Sequence, residues 1–177
     1  PLYEDQLKRS VVISNFPKRI ISVVPSQTEL LYDLGLSDEV IGITKFCLHP
    51  AAWFRVKQRV GGTKQLNIEL IRSLQPDLII GNKEENTKED IARLQQNYPV
   101  LLTDINTLDD AFYYLLEIGQ KVNRMAQAQA LVAQIKKGFQ ELGPIANGAS
   151  FLYFIWKDPY FVVGPNTYIN ALLTHFG

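Results

Sequence analysis

The sequence predicts an α/β fold in two lobes, whose parallel sheets are flanked by helices and which one long backbone helix joins. Apolar runs alternate with amphipathic segments along residues 1–106, as in proteins built on a parallel sheet. A helical period of apolar residues then continues over 108–142. Two strands and one helix follow, which are too few to bury a core. We therefore predict an N-terminal lobe at 1–106, a linker helix at 107–143 and the start of an incomplete C-terminal lobe at 144–177.

The elements of the first lobe are predicted from apolar runs and from polar helix caps. Strands are predicted at 11–13, 19–24, 40–44, 78–80 and 100–102. Helices are predicted to begin at Ser26, Asn67 and Thr87, because these side chains can accept hydrogen bonds from first-turn N–H groups. Glu29 and Asp90 follow two of these caps by three residues, at the position that closes a capping box.

The linker helix is predicted from its apolar stripe and from signals at both ends. Thr107 is a suitable N-cap with Asp110 placed to close a capping box, and Gly143-Pro144 stops the helix. At the standard helical rise its length is about 50 Å, which suits a rod between two lobes. Two shorter helices broken near Gly119 are the alternative. We favour one helix because the stripe keeps its phase through Gly119.

The segment beyond the linker predicts the beginning of a second lobe. Strands are predicted at 151–155 and 161–163, and a helix at 166–176 that ends at Gly177. This order of elements is that of an α/β lobe which the remaining residues do not complete.

The composition is that of an ordinary soluble protein and argues against several function classes. Of the 177 residues, 46% are hydrophobic and 20% are charged. Eighteen basic residues balance eighteen acidic ones without a basic cluster, so a nucleic-acid partner is not predicted. Cys47 is the single cysteine, so no internal disulfide is expected. Neither a membrane-spanning segment nor a signal peptide is evident; we expect a periplasmic or cell-surface protein if a signal has been removed, and a cytoplasmic one otherwise.

The candidate binding site lies where the strands of the first lobe end, because ligands of open α/β sheets bind outside the carboxyl ends of the strands. The loops there supply an aromatic ring, an imidazole, amides, hydroxyls, lysines and a carboxylate, and the second lobe supplies further aromatic rings. The predicted ligand-binding residues are Pro25, Ser26, Gln27, Lys45, Phe46, His49, Thr63, Lys64, Asn82, Lys83, Glu84, Trp156 and Phe161.

Several of these candidates also have a purely structural interpretation. Phe46 is as well placed to cover the sheet edge as to stack on a ligand. His49 precedes Pro50, a position typical of a hydrogen-bonded turn residue. Trp156 and Phe161 are most simply core residues of the second lobe.

Sequence signals for catalysis are weak. Ser26, His49 and Asp104 would be a hydrolase triad, but no Gly-x-Ser-x-Gly elbow contains the serine. Cys47, His49 and Glu84 would bind a metal only if the fold brought them together. No glycine-rich dinucleotide motif or Walker-type phosphate loop is present. We therefore predict a binding protein with no catalytic residue, metal or cofactor of its own, and a metal-dependent hydrolase is the weaker alternative.

Five stretches of the sequence together suggest a family. They are Arg-Ile-Ile-Ser-Val-Val-Pro-Ser-Gln-Thr-Glu-Leu from Arg19, Val-Ile-Gly-Ile-Thr-Lys-Phe-Cys-Leu-His-Pro from Val40, Val-Gly-Gly-Thr from Val60, Asn-Ile-Glu from Asn67 and Leu-Gln-Pro-Asp-Leu-Ile-Ile from Leu74. The chain from Lys18 onward resembles the helical-backbone substrate-binding proteins of ABC importers, which carry cobalamin, iron-siderophores and haem. The likeness is closest to the cobalamin-binding branch. It implies two α/β lobes joined by one long helix, with a metal chelate held in the cleft between them.

The resemblance also implies roles for individual residues. In the cobalamin-binding branch, aromatic residues that contact the corrin stand at the positions of Phe46 and Phe161, and a tryptophan stands where this chain has Thr63. A glutamate that pairs with arginines of the membrane subunit stands at the position of Glu69. We therefore expect a monomer that captures a metal chelate and docks, without membrane insertion, onto an ABC transporter membrane subunit. An intracellular binding or sensor module of the same fold is the alternative.

Overall fold

A five-stranded parallel sheet forms the centre of the fold. The computed structural model describes residues 1–13, 15–143 and 150–176. The strands are β1 (Leu2–Glu4), β2 (Ser10–Val12), β3 (Ile20–Ser22), β4 (Val40–Ile43), β5 (Gln58–Arg59), β6 (Gly61–Gly62), β7 (Gln65–Leu66), β8 (Leu78–Asn82), β9 (Val100–Thr103), β10 (Phe154–Trp156) and β11 (Phe161–Val162). The helices are α1 (Pro25–Asp33), α2 (Ala51–Val56), α3 (Ile68–Leu74), α4 (Lys88–Gln95), α5 (Leu108–Lys121), α6 (Met125–Leu142) and α7 (Tyr168–Phe176).

The central sheet has the order β5-β4-β3-β8-β9, and each of its neighbouring strands runs parallel. This confirms the predicted α/β class. Ile20 and Ile21 of β3 are fully buried and point to opposite faces, as neighbours in a strand must. Ile20 packs in one core cluster with residues of α1, α5 and α6, whereas Ile21 packs in a second cluster with residues of α3 and α4. Helices therefore cover both faces, which explains why the strands have continuous apolar runs.

The single linker helix predicted over 108–142 is wrong. The structure has two helices there, α5 and α6, and they fold back on each other as an antiparallel pair. The Lys136 ammonium lies 4.9 Å from the centre of the Phe112 ring. In one continuous helix, residues 24 positions apart would be separated by about 36 Å. α6 is the longest helix among the described residues and leads toward the C-terminal segment; the division into lobes at 106, 143 and 144 stays a prediction.

A tight turn between α5 and α6 explains this correction. Val122 is the C-cap of α5, and Asn123 has a φ of 57°, the left-handed conformation that asparagine adopts more readily than most residues. Gly119 allows the two helices to approach closely, because a Cβ there would lie 2.4 Å from the Cβ of Ala128. Ala128 of α6 packs in the same core cluster as Tyr114 and Ile118 of α5.

Polar caps set the start of three predicted helices. Thr107 accepts a hydrogen bond from the Asp110 N–H, and the Asp110 carboxylate accepts one from the Thr107 N–H, so the predicted capping box is confirmed. Asn67 and Thr87 each accept a hydrogen bond from the N–H three residues ahead, as predicted. The elements that the sequence analysis did not predict are β1, α2, β5 and the β6–β7 hairpin.

The N-terminal hairpin of β1 and β2 lies beside the outer edge of β9. Asp5 is buried, and its carboxylate accepts a hydrogen bond of 3.3 Å from the Leu102 N–H. The Arg9 guanidinium donates to the Val100 carbonyl at 3.4 Å and also pairs with Asp5. β9 ends the sheet, so these two side chains occupy backbone groups that a further strand would otherwise bind.

The C-terminal segment contains an antiparallel strand pair, β10 and β11, followed by α7. Phe139 of α6 stacks on Phe176 of α7 with ring centres 5.5 Å apart. The large apolar side chains of the strand pair are exposed, so these elements do not enclose a core. Gly143 is the C-cap of α6, as predicted, whereas Pro144 and Gly177 lie outside the described residues. In the described ranges, no helix combines the length and the apolar character needed to cross a membrane.

Candidate functional site

A cavity of about 340 Å³ lies at the carboxyl ends of β3 and β8. This volume is within the usual range of small-molecule sites. Four predicted residues line the cavity, namely Ser26, Gln27, Asn82 and Glu84. The other lining residues are Val24, Leu30, Glu85, Ile105, Ala111, Tyr114, Leu115 and Tyr168. The cavity therefore combines α1, the loop after β8, α5 and the first residue of α7.

The N-terminus of α1 forms one wall of the cavity. α1 begins at Pro25, which suits the first helical position because its missing N–H is not needed there. Val24 is the N-cap and makes no side-chain cap hydrogen bond, so the predicted capping role of Ser26 and its box with Glu29 are wrong. The predicted cap at Ser26 placed Pro25 before the helix, whereas Pro25 is the first residue of the helix. Ser26 is instead an exposed residue in the first turn of the helix, beside the cavity.

The loop after β8 is organised by the Asn82 side chain. Its carbonyl oxygen accepts hydrogen bonds from the N–H groups of Glu84 at 2.8 Å and Glu85 at 3.0 Å. Its amide nitrogen donates to the Thr103 hydroxyl at 3.0 Å. Asn82 thus uses its polar atoms within the protein, and the groups that this loop presents to the cavity are the two glutamates.

Asn86 joins this loop to two others, a role that the sequence analysis missed. Its side-chain oxygen accepts from the Asn82 N–H at 2.9 Å. Its side-chain nitrogen donates to the backbone carbonyls of Val23 at 3.2 Å and Thr63 at 3.0 Å. Asn86 and Thr63 are both buried, so this network lies behind the surface of the site. Three loops at the sheet edge are therefore held in a fixed relation.

An aromatic rim formed by Lys45, Phe46, Gly62 and Lys64 adjoins the cavity loop. The Phe46 ring is half exposed, and the Lys45 ammonium lies 5.2 Å from its centre, within cation–π range. A Cβ on Gly62 would lie 3.1 Å from the Phe46 ring, so the glycine makes room for it. Lys64 donates from its ammonium to the backbone carbonyl of Glu84, which connects the rim to the cavity.

Nine of the thirteen predicted residues do not line the cavity, among them Lys83, His49, Trp156 and Phe161. Lys83 forms an ion pair of 2.7 Å with Asp104, and His49 is exposed on the loop after β4. Trp156 and Phe161 are exposed on the strand pair β10–β11. Their roles in ligand binding stay predictions.

The residues of the alternative metal site are not assembled. Cys47 is fully buried, and its thiol lies 3.1 Å from the hydroxyls of both Thr28 and Thr44. His49 is exposed, whereas Cys47 is enclosed two residues away. Within 1–13, 15–143 and 150–176, no group of three or more histidine, cysteine, aspartate or glutamate residues is placed to hold a metal ion.

Two tyrosines that the sequence analysis missed line the cavity. Tyr114 of α5 is buried, and Tyr168 opens α7. Burial raises the pKa of both the Tyr114 and the Tyr168 phenol, so both are protonated at neutral pH. Among the described residues, no lysine, arginine or histidine lines the cavity, whereas Glu84 and Glu85 do. The cavity is therefore a partly apolar compartment that no cationic side chain among the described residues lines, beside a rim that carries lysines.

Glu69 lies in the first turn of α3, outside the cavity. Its side chain is 82% exposed and pairs with Arg72 of the same helix at 2.9 Å. An exposed pair at this spacing contributes only about 0.2–0.5 kcal/mol, so Glu69 can exchange it for another partner.

Comparison with known proteins identifies the family. Residues 20–177 match the family described as periplasmic binding protein. The chain belongs to this family.

Curated relatives of this chain are named as binding proteins. The uncharacterized ABC transporter substrate-binding lipoprotein YvrC of Bacillus subtilis is 26% identical, over 96% of this chain and 57% of its own length. The vitamin B12-binding protein of Vibrio cholerae is 33% identical, over 57% of this chain and 37% of its own length. The chain spans about half the length of the curated relatives it matches. Both relatives are named for binding and not for a reaction.

Solved structures show the same fold. The periplasmic vitamin B12 binding protein BtuF of Vibrio cholerae superposes with a TM-score of 0.76 at 23% identity, over 91% of this chain and 64% of that one. The petrobactin-binding protein YclQ of Bacillus subtilis superposes with a TM-score of 0.86 at 20% identity, over 100% of this chain and 65% of that one. The chain is thus short relative to proteins of its own fold.

Proposed function

We propose that this chain belongs to the substrate-binding component of an ABC importer and captures a metal chelate, with cobalamin as the first candidate and iron-siderophores or haem as the others. The observation that carries the proposal is that a cavity and the exposed Phe46 ring lie at the same edge of the sheet. Lys64 connects the two, because its ammonium donates a hydrogen bond to the Glu84 carbonyl. The relatives named as vitamin B12-binding proteins support the choice of candidate.

Each part of the site suits one part of such a ligand. A planar macrocycle offers a large apolar face, and the exposed Phe46 ring is suited to stack on it. The Lys45 ammonium beside this ring suits acidic substituents at the macrocycle edge. The cavity is large enough for a side arm but not for a whole macrocycle of this class, so the body of the ligand lies over the rim.

The mechanism is capture without chemistry. The hydrogen bonds of Asn82 and Asn86 fix the loops before the ligand arrives. A preformed site loses less conformational entropy on binding than one whose loops must become ordered, so more of the contact energy is retained as affinity.

Delivery of the ligand requires a partner in the membrane. We place the protein outside the cytoplasmic membrane, in the periplasm or at the cell surface, as the names of its relatives suggest. Exposed Glu69 on α3 would meet basic residues of the importer's membrane subunit, since exposed charges chiefly set the rate and the orientation of docking.

Calorimetric titration of the full chain with cyanocobalamin, ferric siderophores and haemin tests the ligand class. Phe46→Ala is expected to weaken binding about tenfold, because an aromatic stack contributes roughly 0.5–1.5 kcal/mol beyond its buried area. Phe16→Ala is the matched control, since Phe16 has a similar exposure but precedes β3 at the opposite edge of the sheet. Absence of binding to all three classes, or equal effects of the two substitutions, would contradict the proposal.

A further inference from the structure

Two buried side-chain oxygens, on two residues that line the cavity, have no hydrogen-bond partner. They are Oε1 of Gln27 and the hydroxyl of Tyr114, and no other such side-chain atom occurs among the described residues. Both residues are 4% exposed, and both line the same cavity. Buried polar atoms in native proteins are almost always paired, and exceptions call for a partner that is not part of the chain. Since both exceptions occur at one cavity, a molecule bound there is the natural source of both partners.

The two oxygens differ in what they can accept and donate. The Gln27 amide nitrogen lies 3.5 Å from the Thr103 hydroxyl, so the opposite end of the amide, Oε1, is the free acceptor. The Tyr114 hydroxyl is protonated, because burial raises the pKa of this phenol, and it can therefore donate. The cavity thus presents one acceptor and one donor from opposite helices, α1 and α5.

The charge of the cavity restricts its ligand further. Glu84 and Glu85 line it, and no cationic side chain among the described residues does. A carboxylate arm would offer acceptors only, facing two glutamates and the Gln27 oxygen. A neutral group that carries an N–H₂ beside a C=O satisfies both free oxygens at once.

We infer that Gln27 and Tyr114 form a subsite for a primary carboxamide arm of the ligand, whose N–H₂ donates to Gln27 Oε1 and whose carbonyl accepts from the Tyr114 hydroxyl. This inference rests on the proposed function, because it assigns a part of the same cleft. It divides the site into an aromatic rim with lysines for the body of the ligand and a cation-free cavity for its uncharged arm. Gln27 and Tyr114 then determine specificity between amide-bearing chelates and their carboxylate analogues.

Small probes test the subsite without any assumption about the whole ligand. Propionamide and propionate are added separately at millimolar concentration to the full chain, and NMR follows the Gln27 side-chain amide and the Tyr114 ring. Propionamide is expected to shift both signals in a saturable way, whereas propionate leaves them unchanged. Absence of a propionamide effect, which would mean that an ordered water satisfies both oxygens, overturns the inference, as does an equal response to propionate.

Two variants test the same subsite with the chelate. Tyr114→Phe and Gln27→Met are each expected to weaken binding of cyanocobalamin about tenfold, the effect of one lost hydrogen bond to a buried partner. Tyr114→Phe should at the same time unfold at the same temperature as the wild type or a higher one, because its hydroxyl has no partner in the protein. Tyr113→Phe is the matched control on the next position of α5, where the side chain is exposed.

The outcomes separate this inference from the proposed function. A Tyr114→Phe variant that unfolds at a lower temperature shows a structural partner for the hydroxyl and overturns the inference. Cobalamin binding that neither variant weakens also overturns it and leaves the proposed function standing. A wild-type chain that binds no chelate contradicts the proposed function, while a propionamide response at Gln27 and Tyr114 would still support the carboxamide subsite.

Discussion

Gly119→Ala is expected to destabilise the protein, and it tests whether α5 and α6 fold back on each other. A new Cβ at this position would lie 2.4 Å from the Cβ of Ala128 and 3.3 Å from the Arg124 carbonyl oxygen. Both neighbours belong to the backbone or are attached directly to it, so they cannot rotate away. Overpacking of this kind costs about 1–3 kcal/mol, and the upper end applies here. Replacing a helical glycine by alanine stabilises a helix by about 1 kcal/mol, so the free energy of unfolding should fall by about 2 kcal/mol in total.

Gly138→Ala in α6 is the matched control for this substitution. A Cβ at Gly138 meets no atom within 4 Å, so only the helix propensity changes and the variant should gain about 1 kcal/mol. The two substitutions are chemically identical but should have opposite signs. For a protein of this size, thermal unfolding should shift by about 4–8 °C downward for Gly119→Ala and by about 2–4 °C upward for Gly138→Ala.

Urea unfolding followed by circular dichroism measures both changes in free energy. In the double variant with Ala128→Gly, the clash disappears, and part of the stability lost in Gly119→Ala should return. A Gly119→Ala variant as stable as Gly138→Ala would refute the reasoning, because one continuous helix has no opposing methyl group at this point.

Three further predictions concern the loops, the docking residue and the buried phenol. Asn86→Ala should lower the free energy of unfolding by about 2–4 kcal/mol, because three backbone groups lose their hydrogen bonds to this side chain; urea titration measures the change, with exposed Asn97→Ala as the control. Glu69→Arg should weaken docking to the membrane subunit at unchanged ligand affinity, as measured by surface plasmon resonance and calorimetry, with exposed Glu141→Arg as the control. Burial raises the pKa of the Tyr114 phenol, so above about pH 10 this phenol ionises in the unfolded chain but stays protonated in the folded chain. The urea concentration at the midpoint of unfolding should therefore fall more steeply above this pH in the wild type than in Tyr114→Phe.

Each of these expectations has an outcome that contradicts it. Equal stability of the two asparagine variants would show that Asn86 does not hold the loops together. Loss of ligand affinity in Glu69→Arg, or an equal docking loss in Glu141→Arg, would remove the docking assignment. Identical alkaline profiles of the wild type and Tyr114→Phe would show that the phenol is accessible to solvent.

Local signals predicted the elements of the first lobe well. Buried strands such as β3 and β8 have continuous apolar runs, and caps such as Thr107 need only a few neighbouring residues. The turn between α5 and α6 was not predicted, because the only local signal for it is Asn123. The apolar stripe, by contrast, has ten residues at helical spacing, which favoured one continuous helix. The Ser26 cap failed because Pro25 competes for the same helix start and fits it better.

The site was predicted at the correct edge of the sheet, but only some of its residues were predicted. The rule that ligands bind at the carboxyl ends of parallel strands finds Ser26, Gln27 and Glu84, since the rule depends on topology alone. Tyr114 and Tyr168 lie in helices far away in the sequence, and no local pattern marks either of them. Their presence at the cavity follows from tertiary packing.

The side chains of Asp5 and Arg9 have a consequence for the behaviour of the molecule in concentrated solution. They bind the Leu102 N–H and the Val100 carbonyl, on the side of β9 where another molecule could otherwise add a strand. A buried carboxylate with its guanidinium cannot template a neighbour's backbone as a bare strand can. The segment from Leu2 to Arg9 thereby covers backbone groups of β9 to which a strand of another molecule could otherwise add.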